Sequence, residues 1–385
     1  MKRITEENMS VLLSEVLNLN IMKDFQLICG REGLNRTITK VGILDHEIGE
    51  VIDNSFIEGE FVLTNLLLIK DDLSQLEDVV NRLINAKTAG LAIKTLYIDE
   101  VPDAVIRLAR THNYPVFLYE DVYYEDIITE LVEYIKTSTA LSGQMALVHT
   151  LLNESLSIEE TQKIAYKLNP DFRAWISVIK VELSGVPSRV SAYHANKILG
   201  IHHKCYIEEG LVTLFTSFDT KEVSESTHLS LLESIGIVAQ RYSGGISNIH
   251  TIDSVNLAYI ESDFALQYSK FKNRTSLIKF DELGLYKALL PLEGNRWLIE
   301  YCKKIVQPII EYDEKNGADL MKTAQIYIEN GCDIKKTAEL LYQHGNTIRY
   351  RMDRIKGLLE DIVEKAYIDQ ELSVAIRWYG LNQRK

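Results

Sequence analysis

The chain has 385 residues, of which 46% are hydrophobic and 25% charged, with a formal net charge of −13; this is the make-up of a folded chain long enough for two or three cores, not of a disordered one. An acidic excess of that size excludes a protein that coats nucleic acid over its whole surface, because its field repels phosphate at a distance. The four cysteines, Cys29, Cys205, Cys302 and Cys332, show no zinc-type Cys/His spacing and are read as reduced thiols packed as small apolar groups, so no metal and no cofactor are expected.

The chain opens on "MKRITEENMSVLLSEVLNL", a basic start whose apolar positions are interrupted by Glu15 and Asn18, so it does not form the uniform core of a signal peptide. The longest apolar runs, such as "LLLI" at 66–69, fall far short of the roughly 20 residues that span a bilayer. No membrane partner is expected, and a cytoplasmic location is.

Up to about residue 137 short apolar strands alternate with helical patterns. "FVLTNLLLI" (61–69) and "GLAIKTL" (90–96) read as buried strands. Between them Leu73, Leu76, Val79, Val80, Leu83 and Ile84 have the spacing of an amphipathic helix that ends at Gly90. A further helix and a strand around Val116–Leu118 repeat the pattern, the signature of an α/β domain with its pocket at the carboxyl ends of parallel strands. Ile127, Leu131, Tyr134, Ser138, Leu141, Met145, Val148 and Leu152 then follow an a/d rhythm. Two packings satisfy it, a coiled-coil seam between copies or a helix buried on its own domain. From about Pro170 a strand ("AWISVIKVEL"), a hairpin ("CYIEEGLVTLFTSF"), a strand within "IGIVAQRYSGGIS" and a long helix read as an α+β module, and after Leu292 the pattern is wholly helical.

The last helical region holds the sharpest signal. In "GCDIKKTAELLYQHGNTIRYRMDRIKGLLE", Asp333 is placed to N-cap a short helix with Ile334, Ala338 and Leu341 on its apolar side. "YQHGN" breaks the pattern. A second helix from about Asn346 buries Ile348, Met352, Ile355 and Leu359, which gives the spacing of a helix-turn-helix. At about 100° per residue, Asn346, Thr347, Tyr350 and Arg354 fall opposite that stripe and Arg349 and Arg351 on its flanks. These side chains suit base edges and phosphate walls of a major groove, and Lys335, Lys336 and Thr337 at the start of the preceding helix suit phosphates, through side chains and backbone amides. From Cys332 to Gly357 six cations face three carboxylates, an excess of +3 inside a chain whose remainder carries −16. His344 has no second ligand at metal spacing, so a turn or phosphate-contact role fits it.

These residues resemble a known family. "TAELLYQHGNTIRYRMDRIKGLL" is similar to the C-terminal helix-turn-helix of the PucR/CdaR transcriptional regulators, with His344, Asn346, Thr347, Tyr350 and Arg351 at the motif positions and Gly345 where the family more often has a larger residue. "ICGREGLNRTITKVGILD", "EGEFVLTN", "AGLAIKT" and "YPVFLY" resemble the PucR-type N-terminal sensor domain, and "YSGGIS" with "ALQYSKFKNRTSLIKFDEL" resembles a degenerate GGDEF domain. Where that domain's hairpin motif would stand, the chain has Ile207-Glu208-Glu209-Gly210, so no catalytic residues are expected.

The resemblance implies a multidomain α/β and α+β architecture: a sensor at 1–137, a helical linker or coiled coil at 138–169, a GGDEF-like domain at 170–291, and a helical DNA-binding domain at 292–385 with its helix-turn-helix at 333–357. The expected protein is a homodimeric or higher-order regulator that reads a double-stranded DNA operator and answers to a small metabolite, in some members a purine breakdown product. The nominated ligand residues are Asp45, Glu47, Thr64, Asn65 and Lys94, at strand ends and adjoining loops. A nucleotide-binding or nucleotide-processing signalling protein that uses the GGDEF-like domain is the alternative.

Overall fold

Residues 11–153, 155–183, 192–237 and 242–383 are described by the computed structural model; the basic start of the chain lies outside them. The chain divides into two units, residues 1–150 with 191–197 and residues 151–190 with 198–385.

The first unit is built on β1 (Gln26–Cys29), β2 (Lys40–Ile43), β3 (Glu60–Thr64), β4 (Gly90–Lys94) and β5 (Val116–Tyr119), in the spatial order β1-β5-β4-β3-β2. β2 to β5 are parallel, and β1 closes the edge antiparallel to β5. Helices α1 (Leu76–Asn85) and α2 (Asp103–Thr111) form the crossovers that parallel strands need. Side chains alternate across the sheet, so Val62, Leu91, Ile93 and Val116 join a core with α1 and α2, while Phe61, Leu63, Ala92 and Phe117 join another with α3 (Tyr124–Thr150). Burial on both faces explains why these strands read as continuous apolar runs.

Three expectations are corrected here. The apolar run from Phe61 does not stay a strand to Ile69: Leu66 takes φ 60° and Leu67–Ile69 form a 3-10 turn, because Thr64 Oγ1 and Asn65 Oδ1 accept from the amides of Leu66 and Leu67 and replace a sheet neighbour. Helix α1 ends at Asn85, and Gly90 is instead the first residue of β4, where an added Cβ would lie 3.1 Å from the Pro115 carbonyl. Finally, residue 137 falls inside α3. Ile127, Leu131, Tyr134, Leu141 and Val148 of its apolar row are buried, the first three in the core of this unit.

The second unit begins with α4 (Ile158–Leu168) and a sheet of β6 (Trp175–Leu183), β7 (His203–Glu208), β8 (Leu211–Phe218), β9 (Tyr242–Ile246) and β10 (Leu277–Lys279), ordered β10-β9-β6-β8-β7, with the short strand His250–Thr251 also paired to β6. All pairings are antiparallel except β9 with β10. The β7–β8 turn, Glu209-Gly210, has positive φ at both residues, the requirement of a tight two-residue hairpin. α5 (Glu225–Ser234) and α6 (Val255–Phe271) complete the module, α6 lying so close to β9 that a Cβ on Gly245 would meet the Leu266 amide at 2.2 Å.

Five helices follow: α7 (Arg296–Asn316), α8 (Leu320–Glu329), α9 (Ile334–Leu341), α10 (Gly345–Leu359) and α11 (Ile368–Asn382). They enclose their own core, to which Ile305, Ile309, Ala324, Ile328, Ile348, Ile355 and Leu372 belong. Among the described residues no helix is long and apolar enough to cross a membrane.

Candidate nucleic-acid interface

α9 starts where Asp333 caps it, its carboxylate accepting from the amides of Lys335 (2.8 Å) and Lys336 (3.1 Å). Those amides were expected to meet phosphate. They are already satisfied, which leaves only the exposed Lys335 and Lys336 side chains for that task. Thr337 is a second correction: it is fully buried, and its hydroxyl donates to the Asp333 carbonyl at 2.6 Å, so it fixes the helix start and reaches no ligand.

Tyr342 ends α9 in the left-handed conformation (φ 54°), with the Gln343 amide donating to the Ala338 carbonyl at 2.9 Å. His344 then N-caps α10, its Nδ1 accepting from the Asn346 amide at 3.2 Å. The helix begins at Gly345, one residue earlier than expected. A Cβ there would meet Ile334 Cγ2 at an ordinary 3.8 Å, so the position has room for a larger residue. Ile348, Met352, Ile355 and Leu359 are all buried as their spacing demands, and the small Ala338 is buried between α9 and α10.

On the opposite side Asn346, Arg349 and Tyr350 are exposed, Tyr350 by 68%. The Arg349 guanidinium donates to Asn346 Oδ1 at 2.8 Å, which holds two planar polar groups side by side on the first turn and a half. Thr347 is half-buried beside them.

Two arginines depart from the helical wheel. Arg351 donates to Thr323 Oγ1 at 2.9 Å and lies 3.7 Å from the Asp319 carboxylate, its side chain only 20% exposed. It fastens α10 to α8 and does not point to a groove. Arg354 is exposed, but its guanidinium rests 4.7 Å above the Tyr312 ring of α7, a cation–π contact that keeps it at the margin of the face. Lys356 is paired with Asp369 at 2.7 Å, which lifts its pKa above the ordinary lysine value. The face is therefore smaller than the sequence implied: Lys335, Lys336, His344, Asn346, Arg349 and Tyr350, with Arg354 at its edge. Tyr342, read only as part of a helix break, is 94% exposed beside His344.

In the first unit, the five nominated ligand residues lie at the ends of β2, β3 and β4 or in the loops that follow. Each is engaged locally. Glu47 accepts from the amides of Asp45 and His46, and Asp45 lies 3.1 Å from the His46 imidazole. Thr64 is buried, donating to the Leu44 carbonyl at 3.0 Å; Asn65 accepts from Leu67; Lys94 donates to the Val122 carbonyl at 3.0 Å and lies over the Tyr123 ring. Asp45, Glu47 and Thr64 share a recess of about 20 Å³. That is room for about one water.

A profile of the Purine catabolism regulatory protein-like family matches residues 15–135, and one of the PucR C-terminal helix-turn-helix domain matches residues 320–377. The chain is 30% identical to the Purine catabolism regulatory protein of Bacillus subtilis (strain 168) over 136 residues, which cover 34% of this chain and 25% of that one. It is 21% identical to the Proline-responsive transcriptional activator PutR of the same organism over 289 residues, 71% of this chain and 69% of that one. Among solved structures, the Regulator of Polyketide Synthase Expression from Bifidobacterium adolescentis matches at 17% identity and a TM-score of 0.27, covering 60% of this chain and 97% of that one.

Proposed function

This chain belongs to the PucR family of transcriptional regulators, with the family's N-terminal module at one end and its helix-turn-helix at the other, and from that premise we propose that it is a cytoplasmic, ligand-responsive DNA-binding regulator of a catabolic pathway. The observation that carries this reading is the polar face of α10, where Asn346, Arg349 and Tyr350 stand in solvent while the opposite stripe is buried in the five-helix core. Asn and Arg offer the bidentate hydrogen bonds that distinguish base pairs, and Lys335 and Lys336 supply charge for the adjoining phosphates. A homodimer would place two such helices on half-sites one or more helical turns apart, with spacings in steps of about 34 Å.

The effector is proposed to act through the first unit, at the carboxyl ends of its parallel strands, by binding one conformational state better than another. The names of the two relatives make a purine catabolite and a small amino acid the first effectors to try. The sheet of the second unit supports a GGDEF-like reading: its strands run fifth-fourth-first-third-second, and the hairpin carries Glu208 and Glu209. A nucleotide-processing role for that hairpin is the second reading, and GTP incubated with magnesium and the protein tests it; no turnover is expected. DNase footprinting of the full chain on the DNA upstream of its own coding sequence tests the first. Two protected half-sites are expected, and uniform or absent protection on that and neighbouring promoters contradicts it.

A further inference from the structure

We infer that the α+β part of the second unit holds a small-molecule site of its own, shaped for a small carboxylate with an apolar body. A cavity of about 550 Å³ opens beside the carboxyl ends of the parallel strands β9 and β10. Its size is that of a ligand pocket, whereas the recess in the first unit holds about 20 Å³. Its apolar lining comes from Val223, Ile246, Ile249 and Leu277.

The charges around it decide what fits. Lys279 is paired with Glu225 at 2.5 Å. Asp281 accepts from Lys287 at 2.6 Å and from Asn248 Nδ2 at 3.2 Å. Both carboxylates are thus compensated within the protein. Lys221 is not: among the described residues it has no carboxylate within ion-pair distance, and its ammonium lies 5.8 Å above the Trp175 ring at the side of the cavity. His250, also in the lining, has its Nε2 buried 3.0 Å from Glu261 but out of line for a hydrogen bond.

One uncompensated cation in the lining of a partly apolar cavity favours a single negative charge carried by an apolar body. A cationic ligand would meet Lys221. A phosphate dianion would carry more charge than the one uncompensated lysine neutralises. The site does not depend on DNA binding, and its failure would leave the footprinting result untouched.

Thermal shift and calorimetry on the full chain test it with benzoate, phenylacetate and 4-methylpentanoate, using benzamide and phenyl phosphate as comparators. At least one carboxylate is expected to raise the Tm saturably, with both comparators binding at least tenfold more weakly. Lys221→Met is expected to weaken the carboxylate at least tenfold while leaving the unliganded Tm unchanged, and Lys221→Arg to restore binding. The inference is overturned if none of the three carboxylates shifts the Tm, if benzamide or phenyl phosphate binds as well, or if Lys221→Met binds as tightly as the original chain.

Discussion

Arg349 and Arg351 are two residues apart and serve different ends, because the helix turns one toward solvent and the other onto α8. Removing Arg351 leaves the buried Thr323 hydroxyl without its cationic partner and costs a charged hydrogen bond, worth about 1.5 to 3 kcal/mol. Arg351→Ala is therefore expected to lower stability in urea unfolding by about that much, whereas Arg349→Ala, on an exposed face, stays within about 0.5 kcal/mol and loses DNA affinity instead. The reverse ranking would put the two side chains in each other's place. The start of α10 gives a second residue-scale prediction. His344→Ala removes the cap and costs about 0.5 to 2 kcal/mol. Gly345→Ala restricts the unfolded chain at a helical position with room for a methyl group and is expected to stabilise by about 0.5 to 1 kcal/mol. A helical wheel places Ile348, Met352, Ile355 and Leu359 correctly because period alone decides a buried stripe. It cannot see that α8 and α7 bring Thr323 and Tyr312 to Arg351 and Arg354, since those partners belong to other helices.

Side-chain hydrogen bonds set where helices start and strands end, and apolar patterning does not register them. Phe61–Ile69 is one apolar run, yet only its first part is strand, because two side chains at the turn compete for the backbone, and hydrophobicity carries no trace of that competition. The a/d row of α3 leaves two packings open; Ile127, Leu131 and Tyr134 of that row belong to the core of the first unit. For α9 the cap has a functional consequence. With the Lys335 and Lys336 amides held by Asp333, phosphate attraction at this helix rests on two ammonium groups. Each phosphate contact contributes about 0.9 to the slope of log affinity against log salt. Replacing both lysines with alanine should flatten that slope by nearly 2 and weaken specific and scrambled DNA alike. A slope equal to that of the original chain would remove these lysines from the interface.

Across the whole molecule, the half-buried His203 and the buried His228 of the second unit set a pH dependence. Burial holds His203 down to about 4, with the charges of His202 and Arg173 adding to the effect, and burial likewise lowers His228. An unfolded histidine protonates near about 6.5. Between that pH and about 4 the unfolded chain binds protons that the folded chain refuses, so stability falls as the pH is lowered through this range, and above it these groups add no slope. The Tm is expected to drop from pH 7 to pH 5, and to drop less in His203→Gln; an equal drop in both would assign the loss to other groups. At this scale strand and helix patterning makes an α/β region followed by a helical one legible in the sequence, but not the cavities, because a cavity is made where distant segments meet, as Val223, Ile249 and Leu277 do.

The most direct test of the central claim is the ratio of affinities for the footprinted site and for scrambled DNA, measured by fluorescence anisotropy at fixed salt for the original chain, Asn346→Ala and Tyr350→Ala. Base-edge contacts from the exposed face of α10 predict that each substitution lowers that ratio at least tenfold, about 1.4 kcal/mol, while the Tm holds. An unchanged ratio in both variants would contradict the account.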